Sequence, residues 1–133
     1  MISFKYTISL ADTDAAGVLF FANQFRIIHL AYEELLNMIG FPIKDILAKH
    51  KFALPIVQAD AEFMRPLRVG DQIEINAMIK SVANSSFSIM YAIRKDDSIY
   101  GTAKTIHISI NKETGKKTPL DPAFKEKLNS LGK

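Results

Sequence analysis

NQFRIIHLAYEELLNMIGFP, residues 23–42, is the stretch on which the fold turns. Phe25, Ile28, Tyr32, Leu35, Leu36 and Ile39 recur at helical spacing and form one apolar stripe. Ile27, Leu30 and Ala31 put apolar side chains off that stripe, so the helix is buried on more than one side. The spacing predicts a helix over residues 24–39, with Asn23 as N-cap and Gly40 and Pro42 closing it. Pro42 belongs in the first turn of a short second helix that ends near His50.

The cover for that helix comes from strands. Residues 3–10 alternate, with Phe4, Tyr6, Ile8 and Leu10 on one side and Ser3, Lys5, Thr7 and Ser9 on the other. Period two marks a half-buried strand. Residues 11–22 form a loop rich in functional residue types, 54–63 a strand, and 65–71 a turn. Three strands follow over 72–80, 86–94 and 99–110, the last with Ile106, Ile108 and Ile110 on a shared face. Asn84-Ser85 and Asp96-Asp97 supply the turn chemistry between them, and the short spacing implies antiparallel neighbours. A polar helix is expected from Pro122 to Leu131. One apolar helix against one antiparallel sheet is an α+β packing, read here as a single domain over 1–133.

Composition narrows the function. A net charge of +3 with no dense Lys/Arg run gives no footprint for nucleic acid, and the most basic stretch, Lys112 to Lys117, reads as a solvated turn. A mild positive balance favours an anionic small ligand. The absence of cysteine excludes disulfides, thiolate metal sites and a cysteine nucleophile. No apolar run reaches the roughly 18–20 residues of a membrane span. The first residues lack the pattern of a secretion signal, so a cytoplasmic protein is expected.

The loop LADTDAAGVLFFAN, residues 10–23, places a carboxylate just before the start of the buried helix. The first N–H groups of a helix have no internal partner, and its dipole makes that end positive. A carbonyl oxygen held there accepts a hydrogen bond that strengthens as the oxygen becomes negative under attack. Gly17 lets a ligand approach the backbone.

Asp12, Asp14, Gly17 and Val18 in this loop resemble the D-x-D-x-x-G-V signature of the 4-hydroxybenzoyl-CoA thioesterase family of hotdog enzymes. The resemblance implies a sheet curled around the long helix, acyl-CoA as substrate, Asp14 as catalytic residue and the Phe21 N–H as oxyanion donor. It extends over about residues 4–120. Residues 20–36, 52–57, 63–66 and 70–71 are similar to the branch that hydrolyses 1,4-dihydroxy-2-naphthoyl-CoA in phylloquinone and menaquinone synthesis. Also implied is a homo-oligomer, a dimer or a tetramer of two dimers, with an isologous interface. No cofactor and no metal are implied.

The remaining residues carry smaller expectations. Asp12 and Asn23 are expected to support the loop with Gly17. Phe20, Phe21 and Phe25 fit an aromatic acyl pocket and fit a core equally. Arg65, Arg68, Lys80 and Lys104 are candidates for the coenzyme A phosphates, Arg as a bidentate partner and Lys as a point charge. His29 reads as a partly buried helix histidine, Glu33 and Glu34 as structural, and His50 and His107 make no metal pair. Three function classes follow: an aromatic acyl-CoA thioesterase, a thioesterase of broader taste that also accepts acyl-carrier protein, and a non-hydrolytic dehydratase or acyl-CoA sensor.

Overall fold

The computed structural model describes residues 1–131. Strands β1 (Ile2–Thr7), β3 (Ile56–Phe63), β4 (Gln72–Val82), β5 (Ser86–Lys95) and β6 (Ser98–Ile108) form one sheet in the order β1-β4-β5-β6-β3. Every neighbouring pair is antiparallel. The long helix α1 (Phe21–Met38) packs on the inner face, with Ile27, Ile28, Ala31, Tyr32, Leu35 and Leu36 buried. The expected α+β architecture is present. Short strands β2 (Phe52–Ala53) and β7 (Ile110–Asn111) pair separately. Helix α2 spans Ile43–Ala48, with Pro42 as its N-cap rather than in its first turn.

Helix α1 begins three residues earlier than the sequence spacing predicts. Phe20, not Asn23, takes the N-cap position, with extended backbone at φ −68° and ψ 131°. The Asn23 side chain is engaged elsewhere, donating from Nδ2 to the Asp12 carbonyl at 2.9 Å. The other end closes as expected at Gly40, whose φ is +83°. There the Gly40 N–H bonds the Asn37 carbonyl and the Phe41 N–H bonds the Leu36 carbonyl, the paired contacts of a Schellman motif.

The first strand stops at Thr7, and Leu10 is 76% exposed instead of continuing the inward face. The chain breaks away because Ile8 and Gly70 exchange bonds at the sheet end: Ile8 N–H goes to the Asp71 carbonyl and Gly70 N–H to the Ile8 carbonyl. The Asp96-Asp97 turn is a two-residue hairpin loop with both residues at positive φ, 48° and 66°, which matches the twist of β5 and β6.

Strand β6 faces the opposite way from the reading of its isoleucines as the patterned face. Gly101, Ala103, Thr105, His107 and Ser109 point inward and are buried, while Ile106, Ile108 and Ile110 are half-exposed outside. The reason is space. Residues of α1 occupy the volume above β6: Tyr32 stacks on His107 at 4.4 Å, and Gln24 rests on Gly101. A Cβ on Gly101 would stand 3.0 Å from Gln24 Nε2 and 3.1 Å from the Glu62 carbonyl. Buried Gln24 uses that Nε2 to donate to the carbonyls of Glu62 and Thr102, 3.1 Å each, so α1 is tied to β3 and β6. Helix α3 (Pro122–Leu131) is amphipathic rather than simply polar. Its Phe124 is fully buried among Phe41, Phe52 and Phe87, at 5.1, 5.8 and 5.5 Å. Among the described residues no helix is long and apolar enough to cross a membrane.

Candidate active site

The loop between β1 and α1 is built around Asp12, which is fully buried. Its Oδ2 accepts bonds from the Tyr6 hydroxyl (2.8 Å), the Ser9 N–H (2.8 Å) and the Ser9 hydroxyl (2.9 Å), and its Oδ1 pairs with Arg26 of α1. Burial alone raises this carboxyl. The Ser9 N–H, the Tyr6 and Ser9 hydroxyls and the Arg26 guanidinium outweigh it and hold the group below the usual carboxylate value. The Asp12 main-chain carbonyl takes the Phe20 N–H at 3.0 Å as well as Asn23 Nδ2. Asp12 therefore fastens both ends of the loop to the helix. Arg26 was missed in the sequence, since nothing in a helix pattern marks an arginine that reaches back to a preceding loop.

Asp14 sits at the tip of this construction. Its N–H bonds the Val18 carbonyl at 2.9 Å, and the Gly17 N–H returns to the Asp14 carbonyl at 3.0 Å. Gly17 adopts φ +76°, which closes the turn. Asp14 Oδ1 accepts the Ala16 N–H at 2.8 Å and lies 3.5 Å from the Val18 nitrogen. Oδ2 meets no protein donor among the described residues, and the side chain is exposed. Thr13 pairs with Leu19, which brings the turn back beside the residues preceding Phe21. The Phe21 N–H, the first of α1, has no acceptor among the described residues.

A cavity of about 240 Å³ opens beside Phe21, walled by Leu19, Gln24, Phe63, Arg65 and Leu67. Segment 63–71 is clamped to the loop by the Leu19 N–H on the Leu67 carbonyl and a bridge between Val18 and Arg68. Arg65 lies over the Tyr100 ring at 5.6 Å, on the cavity wall. Of the four basic candidates, Arg65 and Arg68 thus flank the loop. Lys80 does not. It lies eight residues along β4 from Gln72, roughly 26 Å at about 3.3 Å per residue. Lys104 is on the outer face of β6, opposite Asp60 and Met90.

The phenylalanines divide. Phe20 and Phe21 lie on the surface with rings 4.8 Å apart, and Phe21 meets Phe63 edge-on at 6.1 Å. Half-buried Phe25 lines a different cavity, one turn further along α1. Exposure of Phe20, Phe21, Phe63 and Met64 around one carboxylate makes an apolar patch of the kind that marks a contact surface.

The three histidines separate too. His29 is exposed rather than partly buried. His50 lies between Phe41 and Phe52. His107 is fully buried, stacked between Tyr32 and Phe87 and bonded through Nε2 to Thr105 Oγ1 at 2.9 Å. Burial pushes its imidazole down to about 4; the Leu54 main chain opposes this and His29 adds to it. Leu54 still makes no bond of normal geometry to Nδ1. Glu33 is exposed and Glu34 half-buried. Among the described residues no three His, Cys, Asp or Glu side chains gather as a metal-ligand set.

Residues 8–128 match the model of the thioesterase-like superfamily. A 1,4-dihydroxy-2-naphthoyl-CoA hydrolase of Microcystis aeruginosa is 40% identical over 128 residues, covering 96% of this chain and 93% of that protein. A protein of the same name from Rippkaea orientalis is 37% identical over 133 residues, covering 98% and 96%. Among solved structures, a 1,4-dihydroxy-2-naphthoyl-CoA thioesterase from Synechocystis superimposes with a TM-score of 0.90 at 30% identity, covering 98% of this chain and 97% of that one. With a curled antiparallel sheet around one long helix, and this match over most of its length, the chain belongs to the thioesterase-like superfamily of hotdog proteins.

Proposed function

We propose that this protein hydrolyses 1,4-dihydroxy-2-naphthoyl-CoA to the free acid and coenzyme A, with Asp14 as catalytic carboxylate and the Phe21 N–H as oxyanion donor. The 40% identity to the Microcystis hydrolase, over nearly the full length of both chains, carries the choice of substrate. The chemistry is supported by an exposed carboxylate whose Oδ2 is unengaged, stitched beside an unpaired helix N–H. Two routes use the same groups. Asp14 attacks the thioester carbon, the oxyanion forms at Phe21, the thiolate of coenzyme A leaves, and water hydrolyses the mixed anhydride. In the other, Asp14 takes a proton from a water that attacks the same carbon. Purified protein is expected to show a higher kcat/KM for 1,4-dihydroxy-2-naphthoyl-CoA than for 4-hydroxybenzoyl-CoA, benzoyl-CoA or a ladder of aliphatic acyl-CoAs. If hexanoyl- or decanoyl-CoA matches or exceeds the naphthoyl thioester, a broad thioesterase replaces this reading.

The same reading makes the working form a homo-oligomer. Strand β3 is the sheet edge, and Ile56, Val57 and Phe63 on it are exposed. Such an edge is a template for pairing with another chain. A second copy placed there would also cover the apolar patch around Asp14. Light scattering should return twice or four times the chain mass at micromolar concentration; a stable monomer would speak against a shared site.

A further inference from the structure

A second cavity, of about 340 Å³, lies between α1 and the inner face of β5 and β6, within the ordinary size of a small-molecule site at roughly 300–1,000 Å³. Phe25, Ile28 and Tyr32 form its helix wall, and Tyr91, Thr105 and His107 its sheet wall. The lining is almost wholly apolar, yet its polar atoms converge. Tyr91 Oη stands 3.4 Å from Thr105 Oγ1, which bonds His107 Nε2 at 2.9 Å. Tyr32 is 3% exposed, and its Oη has no partner among the described residues. Buried hydroxyls are almost always bonded, so an unpartnered one calls for an explanation.

Phe21, Phe25, Ile28 and Tyr32 follow one another at i, i+4, i+7 and i+11, so the cavity continues the helix face that starts at the free Phe21 N–H. Phe25 lies about 6 Å and Tyr32 about 16 Å along the axis from Phe21, at ~1.5 Å per residue. An acyl group with its carbonyl oxygen at Phe21, directed along the helix, meets aromatic walls first and hydroxyls beyond them.

We propose that this cavity is the acyl subsite, and that Tyr32, through its unpartnered Oη, selects an aromatic ring that itself carries a hydroxyl. This rests on the reading of the chain as an aromatic acyl-CoA thioesterase. A ring hydroxyl completes the bonding of Tyr32 Oη; a plain ring leaves it bare, and sites built to bond a hydroxyl discriminate strongly against ligands that lack one.

The test measures binding apart from turnover. In an Asp14→Asn background, 1,4-dihydroxy-2-naphthoyl-CoA and 2-naphthoyl-CoA are titrated calorimetrically, with and without Tyr32→Phe. The parent is expected to bind the hydroxylated thioester at least about tenfold more tightly, and Tyr32→Phe to remove most of that preference while leaving 2-naphthoyl-CoA binding unchanged or tighter. Its thermal midpoint should equal or exceed that of the parent, since only an unpaired hydroxyl is lost. Equal weakening of both ligands, no effect on either, or a midpoint several degrees lower each overturns the proposal. Hydrolysis by the unmodified protein is read separately. A Tyr32-dependent preference without hydrolysis keeps the subsite and removes the catalytic reading. Rapid hydrolysis with no Tyr32 dependence does the reverse.

Discussion

Asp14→Asn is expected to lower kcat/KM for the naphthoyl thioester by at least about a hundredfold, equivalent to roughly 2.7 kcal/mol of transition-state stabilisation. The substitution is close to isosteric. The asparagine carbonyl still accepts the Ala16 N–H that Oδ1 accepts now, so the turn keeps its shape. What disappears is the negative charge on the unengaged oxygen, which both routes require. Binding of coenzyme A should change little, and Asp12→Asn should cost far less turnover, because Asp12 is buried and spends its oxygens on Tyr6, Ser9 and Arg26. Steady-state assays of the two variants side by side decide the matter: near-normal turnover by Asp14→Asn would falsify the role given to this carboxylate.

Acid should weaken the fold well before the carboxylates titrate, and His107 is the expected cause. Its imidazole titrates at about 4 in the folded protein against an ordinary value of 6.5, burial being the main reason. Above pH 6.5 the ring is neutral in both states and contributes no slope. Between 6.5 and 4 the unfolded chain binds a proton that the folded one rejects, so stability falls as pH falls, by about 3 kcal/mol in total. Asp12 acts in a lower window, because its depressed carboxyl loses its contribution only as pH drops below the ordinary 3.8. Urea unfolding midpoints at several pH values between 7.5 and 4.5 should show the decline, and His107→Gln should flatten it. An NMR titration that places the folded imidazole near 6.5 would remove the basis for this expectation.

The buried hydroxyl of Tyr32 fits the same picture of a core that holds polar groups at some cost. Burial, with Tyr91 adding to it, raises that phenol well above its ordinary value, so it remains a neutral donor. Leaving it unbonded costs about 1–3 kcal/mol. An empty apolar wall in its place would be more stable, so the hydroxyl is better explained by a ligand than by folding.

Much of this molecule was legible in its sequence because the signals are local. Helical spacing over residues 25–39 revealed α1, period two revealed β1, β4 and β5, and Gly40, Asp96 and Asp97 marked chain reversals through the backbone conformations those residue types tolerate. The loop around Asp14 was equally visible, since a tight turn before a helix confines its residue types to a few adjacent positions. Tertiary structure decided the rest. Alternation along β6 defined two faces but not which one is buried; the bulk of Tyr32 and Gln24 on α1 turned the small and polar face inward. The Asn23 side chain, predicted to cap the helix, instead bonds the Asp12 carbonyl eleven residues away in sequence, and Phe20 caps in its place. Arg26 on Asp12, His107 between Tyr32 and Phe87, and the cavity beyond Phe25 all join residues from separate elements. Their positions depend on how a helix is seated on a sheet, a choice made by packing volume across the whole core rather than by the periodicity of any one segment.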